Sequence, residues 1–159
     1  MLEFEHIIQV NDLTDSDISV LSRYQLWEGL ILRARRPDKF VRGLSVHTED
    51  LAGDEFERTI EVGDSRFLEQ VMVHPDGQIH TKTLEDLEQI YAESLTQIEE
   101  PEPGFLFVRF TYKRELENED SGVDDVGEHL KSAYLHTDMD AIATIRELAE
   151  SGLFGEFSN

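Results

Sequence analysis

Apolar and polar residues alternate from Leu2 to Val10, with Leu2, Phe4, His6, Ile8 and Val10 on one side and Glu3, Glu5, Ile7 and Gln9 on the other. Successive side chains of a strand point to opposite faces, so a period of two predicts a half-buried strand. Asn11 to Asp17 is a turn-rich break. Ser22, followed three residues later by Gln25, makes a capping box in which each side chain satisfies a backbone donor at a helix start. The helix it opens runs to about Arg35, with Leu26, Leu30 and Ala34 on an apolar stripe beside Trp27 and Ile31. Pro37 fits the first turn of a second, shorter helix through Phe40, which Gly43 ends.

Strand patterns then follow at about 44–51, 55–62, 65–73, 78–86, 90–99 and 105–116. Their connections carry Gly53, Gly63, Pro75-Asp76-Gly77 and Pro101-Glu102-Pro103-Gly104. Glu115 to Asp125, acidic and Gly-containing, reads as a solvated connection. A last helix from about Val123 to Glu150 repeats Val126, Leu130, Ala133, Tyr134, Thr137, Ala141, Ile145 and Leu148 at three- and four-residue steps, and Gly152 stops it. At 1.5 Å per residue such a helix is about 40 Å long, enough to cross a sheet. The expected architecture is α+β: a curved antiparallel sheet of seven strands with two short helices, wrapped around a long C-terminal helix and enclosing a cavity. At 159 residues the chain is expected to form one domain, residues 1–159, large enough to bury a real core.

One contact follows from register. Gly63-Asp64 is a two-residue hairpin loop with Gly in the first central position, as a type II′ turn requires. It sets Val62 opposite Ser65, Ile60 opposite Phe67, Arg58 opposite Glu69 and Phe56 opposite Val71, which brings a guanidinium and a carboxylate together on the apolar side. Such a pair either anchors a ligand in the cup or is a structural ion pair whose heads reach water at the sheet edge.

Charge narrows the function classes. The formal charge is −21, from 35 acidic and 14 basic residues, only four of them Lys. Such a surface repels phosphate backbones and anionic headgroups, so nucleic acid is not an expected partner. An acid-rich, Lys-poor surface also suits a saline cytosol. No cysteine is present, which excludes disulfides and thiolate chemistry. No signal-peptide pattern or membrane-length apolar window occurs, so a cytoplasmic location without membrane insertion is expected.

Motifs for chemistry are sparse. His136 and Asp140 share a helix face, but Asp138 points elsewhere, so two ligands do not become three. His74 and His80 flank a turn without a third partner. No metal or cofactor is assigned, and no phosphate loop or nucleophile elbow occurs. Tyr134 and Asp138 lie one helical turn apart and offer an acid–base pair if both point inward, although a tyrosine with its hydroxyl satisfied in the core is the plainer alternative.

Several segments carry a family resemblance. Phe4-Glu5-His6, Val10-Asn11-Asp12, Gln25-Leu26-Trp27-Glu28-Gly29-Leu30 and Arg33-Ala34 resemble the AtaL-like family. So do Glu99 to Gly104, Leu106 to Tyr112, Leu130-Lys131-Ser132-Ala133-Tyr134 and Ile145 to Ala149, covering nearly the whole chain. That family is similar to the START and birch-pollen-allergen-like superfamily (SRPBCC, polyketide cyclase-like), which implies a helix-grip fold. Members of the superfamily bind lipids, sterols, polyketides or plant hormones between sheet and long helix, and some are polyketide cyclases or aromatases. The resemblance brings no catalytic residues with it.

Three functions compete. In the first, the cavity binds a small, largely apolar or amphipathic molecule, with Arg58 and Glu69 as polar anchors and Trp27, Phe107, Tyr134 and Asp138 completing the candidate site. In the second, it is a polyketide cyclase or aromatase-like enzyme in which Tyr134 and Asp138 transfer protons. In the third, the cavity is a filled core and the protein is an interaction module.

Overall fold

The computed structural model describes residues 1–84, 89–116 and 124–155. Its elements are β1 (Leu2–Gln9), α1 (Arg23–Arg35), one 3-10 turn at Pro37–Lys39, β2 (Leu44–Asp50), β3 (Glu55–Val62), β4 (Ser65–His74), β5 (Gln78–Thr83), β6 (Ala92–Glu102), β7 (Phe105–Arg114) and α2 (Asp124–Glu150). The strands form one curved antiparallel sheet in the order β1-β7-β6-β5-β4-β3-β2. The expected short second helix is that single 3-10 turn. The expected connection Glu115 to Asp125 and the end of the strand expected to reach 86 lie largely outside the described residues.

Local chemistry sets these elements. Gln25 N–H donates to Ser22 Oγ at 3.0 Å and Ser22 N–H to Gln25 Oε1 at 2.9 Å, so both halves of the capping box are made. Gly63 has φ +58°, and no other residue type has a positive φ among the described residues, so Asp64 does not. Only the first central residue is left-handed, as a type II′ turn needs, and the register falls as expected at Arg58–Glu69 and Phe56–Val71. The β6–β7 hairpin departs from expectation. Pro101 and Glu102 belong to the strand, because a bulge between Glu99 and Glu102 absorbs the irregularity and leaves Pro103-Gly104 as the turn.

The core lies between the concave face of the sheet and the helices. It holds Phe56, Val71, Ile79, Ile98, Leu106, Val108 and Phe110 from the strands, Leu26, Leu30 and Ala34 from α1, and Ile142, Ile145 and Ala149 from α2. α2 presents Asp138, Ala141, Ile142, Ile145 and Ala149 inward, whereas Ala133 and Thr137 are exposed. The expected apolar stripe is therefore rotated, with Asp138 in the buried row. α1 and α2 touch at Gly29, where an added Cβ would fall 2.8 Å from Ile145 Cγ1. Asn11, buried in what the sequence presents as a loop, ties two segments together. Its Nδ2 donates to the Leu21 and Gly104 carbonyls at 2.8 and 3.0 Å, and its Oδ1 accepts from Leu21 N–H at 2.9 Å.

Candidate functional site

The concave face leaves a cavity of about 260 Å³. Strand parity decides which side chains reach it. On β7, Val108, Phe110, Tyr112 and Arg114 share the inward parity opposite Ile98, Thr96, Ser94 and Ala92 of β6, and of these Tyr112, Arg114, Thr96, Ser94 and Ala92 line the cavity. Ile79 and Thr81 continue the floor on β5, and Glu69 with Arg58 closes it on β4 and β3. Leu30, Arg33 and Ala34 of α1, Pro37, Phe40 and Val41 after it, and Tyr134 of α2 form the roof. The wall mixes apolar patches with charged and hydroxyl groups, as ligand sites do.

Arg58 and Glu69 meet inside this space. Arg58 Nε donates to Glu69 Oε1 at 2.9 Å and an Nη to the Ala34 carbonyl at 2.7 Å, which links the far strands to the end of α1. The two side chains keep only 14% and 19% of their exposure, so most of their charge is compensated by each other rather than by water.

A second polar group lies beneath Tyr112. Asp138 is 1% exposed; its Oδ1 accepts from Arg33 at 2.8 Å, and its Oδ2 meets His6 Nε2 at 2.7 Å and accepts from the Tyr112 hydroxyl. Burial, and after it the adjacent Asp138 carboxylate, push the Tyr112 phenol far above the ordinary tyrosine value. The phenol keeps its hydrogen at neutral pH and gives it to Asp138. Phe4 stacks on Tyr112, and Tyr134 meets Tyr112 edge to face with ring centroids 4.6 Å apart.

The structure thus brings Arg58, Glu69 and Tyr134 to the cavity wall and sets Asp138 directly behind it. It does not pair Tyr134 with Asp138: the carboxylate takes Tyr112 instead, and the Tyr134 hydroxyl accepts from Arg114 at 3.4 Å. The physical reason is direction, since Asp138 turns toward β1 and β7, where His6 and Tyr112 stand. Trp27 and Phe107 are not in the lining. Trp27 packs half-buried against the core, and Phe107 shares the parity of Arg109 and Thr111 on the outer face of β7. Sequence reasoning passed over Tyr112, Arg33 and His6. Tyr112 carries a signal, because it continues the inward row of Leu106, Val108 and Phe110; His6 and Arg33 are fixed by a partner more than a hundred residues away.

The outer face of the sheet carries a groove of about 380 Å³ between His74, Gln78, His80, Glu93, Leu95, Thr111 and Lys113. Here His80 Nε2 meets Glu93 Oε1 at 2.5 Å and the Tyr91 hydroxyl donates to Glu93 Oε2. The bonds from Tyr91 and then His80 hold Glu93 below the usual carboxylate range, and the same bond pushes Tyr91 up to about 12. This groove is a solvated strip in which Glu93 is satisfied by His80 and Tyr91. His136 and Asp140 are exposed on α2, and among the described residues no group of three His, Asp or Glu is placed to hold a metal. No described helix is long and apolar enough to cross a membrane.

Known structures share this architecture. The chain is similar to the di-domain aromatase/cyclase StfQ of the steffimycin biosynthetic pathway, at 11% identity and a TM-score of 0.67. That match covers 94% of this chain and 51% of StfQ, so the chain spans about half the length of the di-domain protein. The ZhuI aromatase/cyclase from Streptomyces sp. R1128 matches at 12% identity and TM-score 0.62, over 95% of this chain and 94% of that one. A START superfamily protein from Mycobacterium smegmatis matches at 12% identity and TM-score 0.68, over 93% and 99%. At these identities the likeness is one of fold, the START-type helix grip. No curated protein matches the chain in sequence. The family model for AtaL, acetylaranotin biosynthesis cluster protein L, matches residues 8–152, and the chain belongs to that family.

Proposed function

We propose that the protein binds a small ring-containing molecule bearing oxygen groups in the cavity between the sheet and α2. One observation carries this: a charged pair, Arg58–Glu69, is held mostly out of water at the wall of a cavity of about 260 Å³. A cavity of about 150 Å³ accommodates benzene, so the space suits one or two rings rather than a long lipid. The mixed wall favours a ligand with carbonyl, hydroxyl or carboxylate groups over a hydrocarbon.

Removing either member of the pair strands the other's charge, which typically costs about 3–5 kcal/mol, whereas replacing both with apolar residues is often near neutral. Arg58→Met and Glu69→Leu should each destabilise, and the double variant should recover much of the loss. Native mass spectrometry of freshly purified protein then tests binding: the wild type retains a ligand and the recovered double variant does not. A stable double variant with unchanged retention would refute the anchoring role.

A second reading, an aromatase/cyclase-like enzyme, is favoured by Tyr112. Its phenol stands in the wall with Asp138, Arg33 and His6 behind it, and its one hydrogen, given to Asp138 at rest, would serve a carbonyl oxygen on which negative charge develops once the hydroxyl turns from Asp138 into the cavity. Absorbance of aromatic product from a short linear poly-β-keto thioester tests it. Protein should accelerate ring formation and Tyr112→Phe should slow it; equal rates with and without protein would refute it.

A further inference from the structure

Among the described residues, charges around the cavity cancel in pairs, with one exception. Arg58 is taken by Glu69 at 2.9 Å and Arg33 by Asp138 at 2.8 Å. Lys113 turns to Glu3 at 3.4 Å, and Glu93 is taken by His80 and Tyr91 on the outer face. Arg114, half-buried at the β7 end, meets no carboxylate among the described residues. Its Nε donates to the Glu115 carbonyl at 3.1 Å and an Nη to the Tyr134 hydroxyl at 3.4 Å. Both acceptors are neutral, and the second bond is long. The guanidinium lines the cavity at this end.

An arginine fork matches a carboxylate in shape and charge, and partial burial strengthens the bond. Beside it, Tyr112 and Tyr134 offer ring faces and edges at the same end of the cavity. The Arg58–Glu69 pair stands at the other end, since β7 and β3 are separated by β6, β5 and β4. We infer that Arg114, with the Tyr134 hydroxyl, is the binding site for the carboxylate of a small aromatic acid whose ring lies against Tyr112 and Tyr134. This rests on the reading of the cavity as a ligand site and adds the chemical class of the ligand and its orientation.

Isothermal titration calorimetry with 2-naphthoate and its methyl ester tests both levels. The acid should bind the unaltered protein about 10- to 100-fold more tightly than the ester, the range expected for a hydrogen bond to a charged group. Arg114→Gln should lower acid affinity to that of the ester and leave the ester unchanged, while Arg114→Lys should keep part of the preference. Thr81→Leu, which fills the floor away from Arg114, should weaken both ligands. Equal binding of acid and ester, or an acid affinity indifferent to Arg114→Gln, would overturn the carboxylate site; if Thr81→Leu still weakened both, the cavity reading would stand. Failure of both ligands to bind, or binding indifferent to Thr81→Leu, would overturn both. The acid–ester comparison uses the unaltered protein, so it decides even if a variant fails to fold.

Discussion

Removing the Asp138 carboxylate should be among the most damaging single changes available to this fold. The group is 1% exposed and serves three partners at once: Arg33 at 2.8 Å, His6 at 2.7 Å and the Tyr112 hydroxyl. Asp138→Ala deletes every one of those contacts and leaves a guanidinium without its counter-charge. Arg33 is 23% exposed and recovers some hydration, whereas Tyr112 and His6 recover little. The expected loss is about 3–5 kcal/mol, the cost of breaking one partner of a buried pair. That is a large share of the roughly 5–15 kcal/mol by which domains are stable. At about 2–4 °C per kcal/mol for a chain of this size, the melting temperature should fall by roughly 6–20 °C. Urea unfolding followed by circular dichroism measures the loss directly, with Asp138→Asn as the control that keeps volume and one acceptor. In a cycle of Arg33→Met and Asp138→Leu, the double variant should be more stable than the sum of the single losses predicts, with a coupling of about 0.5–3 kcal/mol. A loss below about 1 kcal/mol for Asp138→Ala, or additive losses in the cycle, would show that these groups do not act as a unit.

Gly29→Ala should destabilise despite the helix propensity of alanine, worth about 1 kcal/mol, because its Cβ meets Ile145 in a packed core where overfilling costs about 1–3 kcal/mol. In thermal melts Gly29→Ala should cost less in an Ile145→Ala background, which removes both Cγ atoms the added methyl meets, than in the wild type; a Gly29→Ala variant as stable as wild type would refute the close approach. Ultraviolet titration of the phenols, with Tyr91→Phe for assignment, should place Tyr91 near 12, and Glu93→Gln should bring it back toward 10. Because folding raises this pKa, its stabilising contribution is complete below pH 10 and lost as pH rises through about 12. Added sodium chloride should raise the melting temperature, since screening shortens the self-repulsion of a −21 chain from about 30 Å at 0.01 M to about 3 Å at 1 M; a flat response would mean that the acidic groups are locally compensated.

Much of the sheet was legible because its signals are local. The Gly63-Asp64 turn dictates its register within two residues, and the Arg58–Glu69 contact follows from parity alone. Ser22 and Gln25 likewise carry their cap within one helical turn. The cluster around Asp138 was not legible, because an aspartate in a helix reads as solvated until the partners that neutralise it are placed nearby. His6 and Arg33 reach it only through the tertiary fold. Without them, apolarity favours Thr137 over Asp138 for the buried row, and the helix is read as rotated. Phe107 was drawn into the site by its ring, although its parity on β7 sends it outward with Arg109. Asn11 looked like an ordinary turn residue because its three bonds go to Leu21 and Gly104, one of them across most of the chain.

The sheet order β1-β7-β6-β5-β4-β3-β2 also constrains how the protein comes to exist in a cell. β1 waits for β7 before it has a neighbour, and His6 waits for Asp138, 132 positions later. At about 5–20 residues per second of synthesis, Arg33 and His6 spend several seconds or more in a nascent chain before their counter-charge emerges from the ribosome. During that interval β1 is an unpaired edge and the part of the roof that α2 supplies is still missing. Long-range pairings of this kind also slow folding itself. Shielding of β1 by a chaperone is therefore expected to matter most for this protein while it is being made, rather than once it has folded.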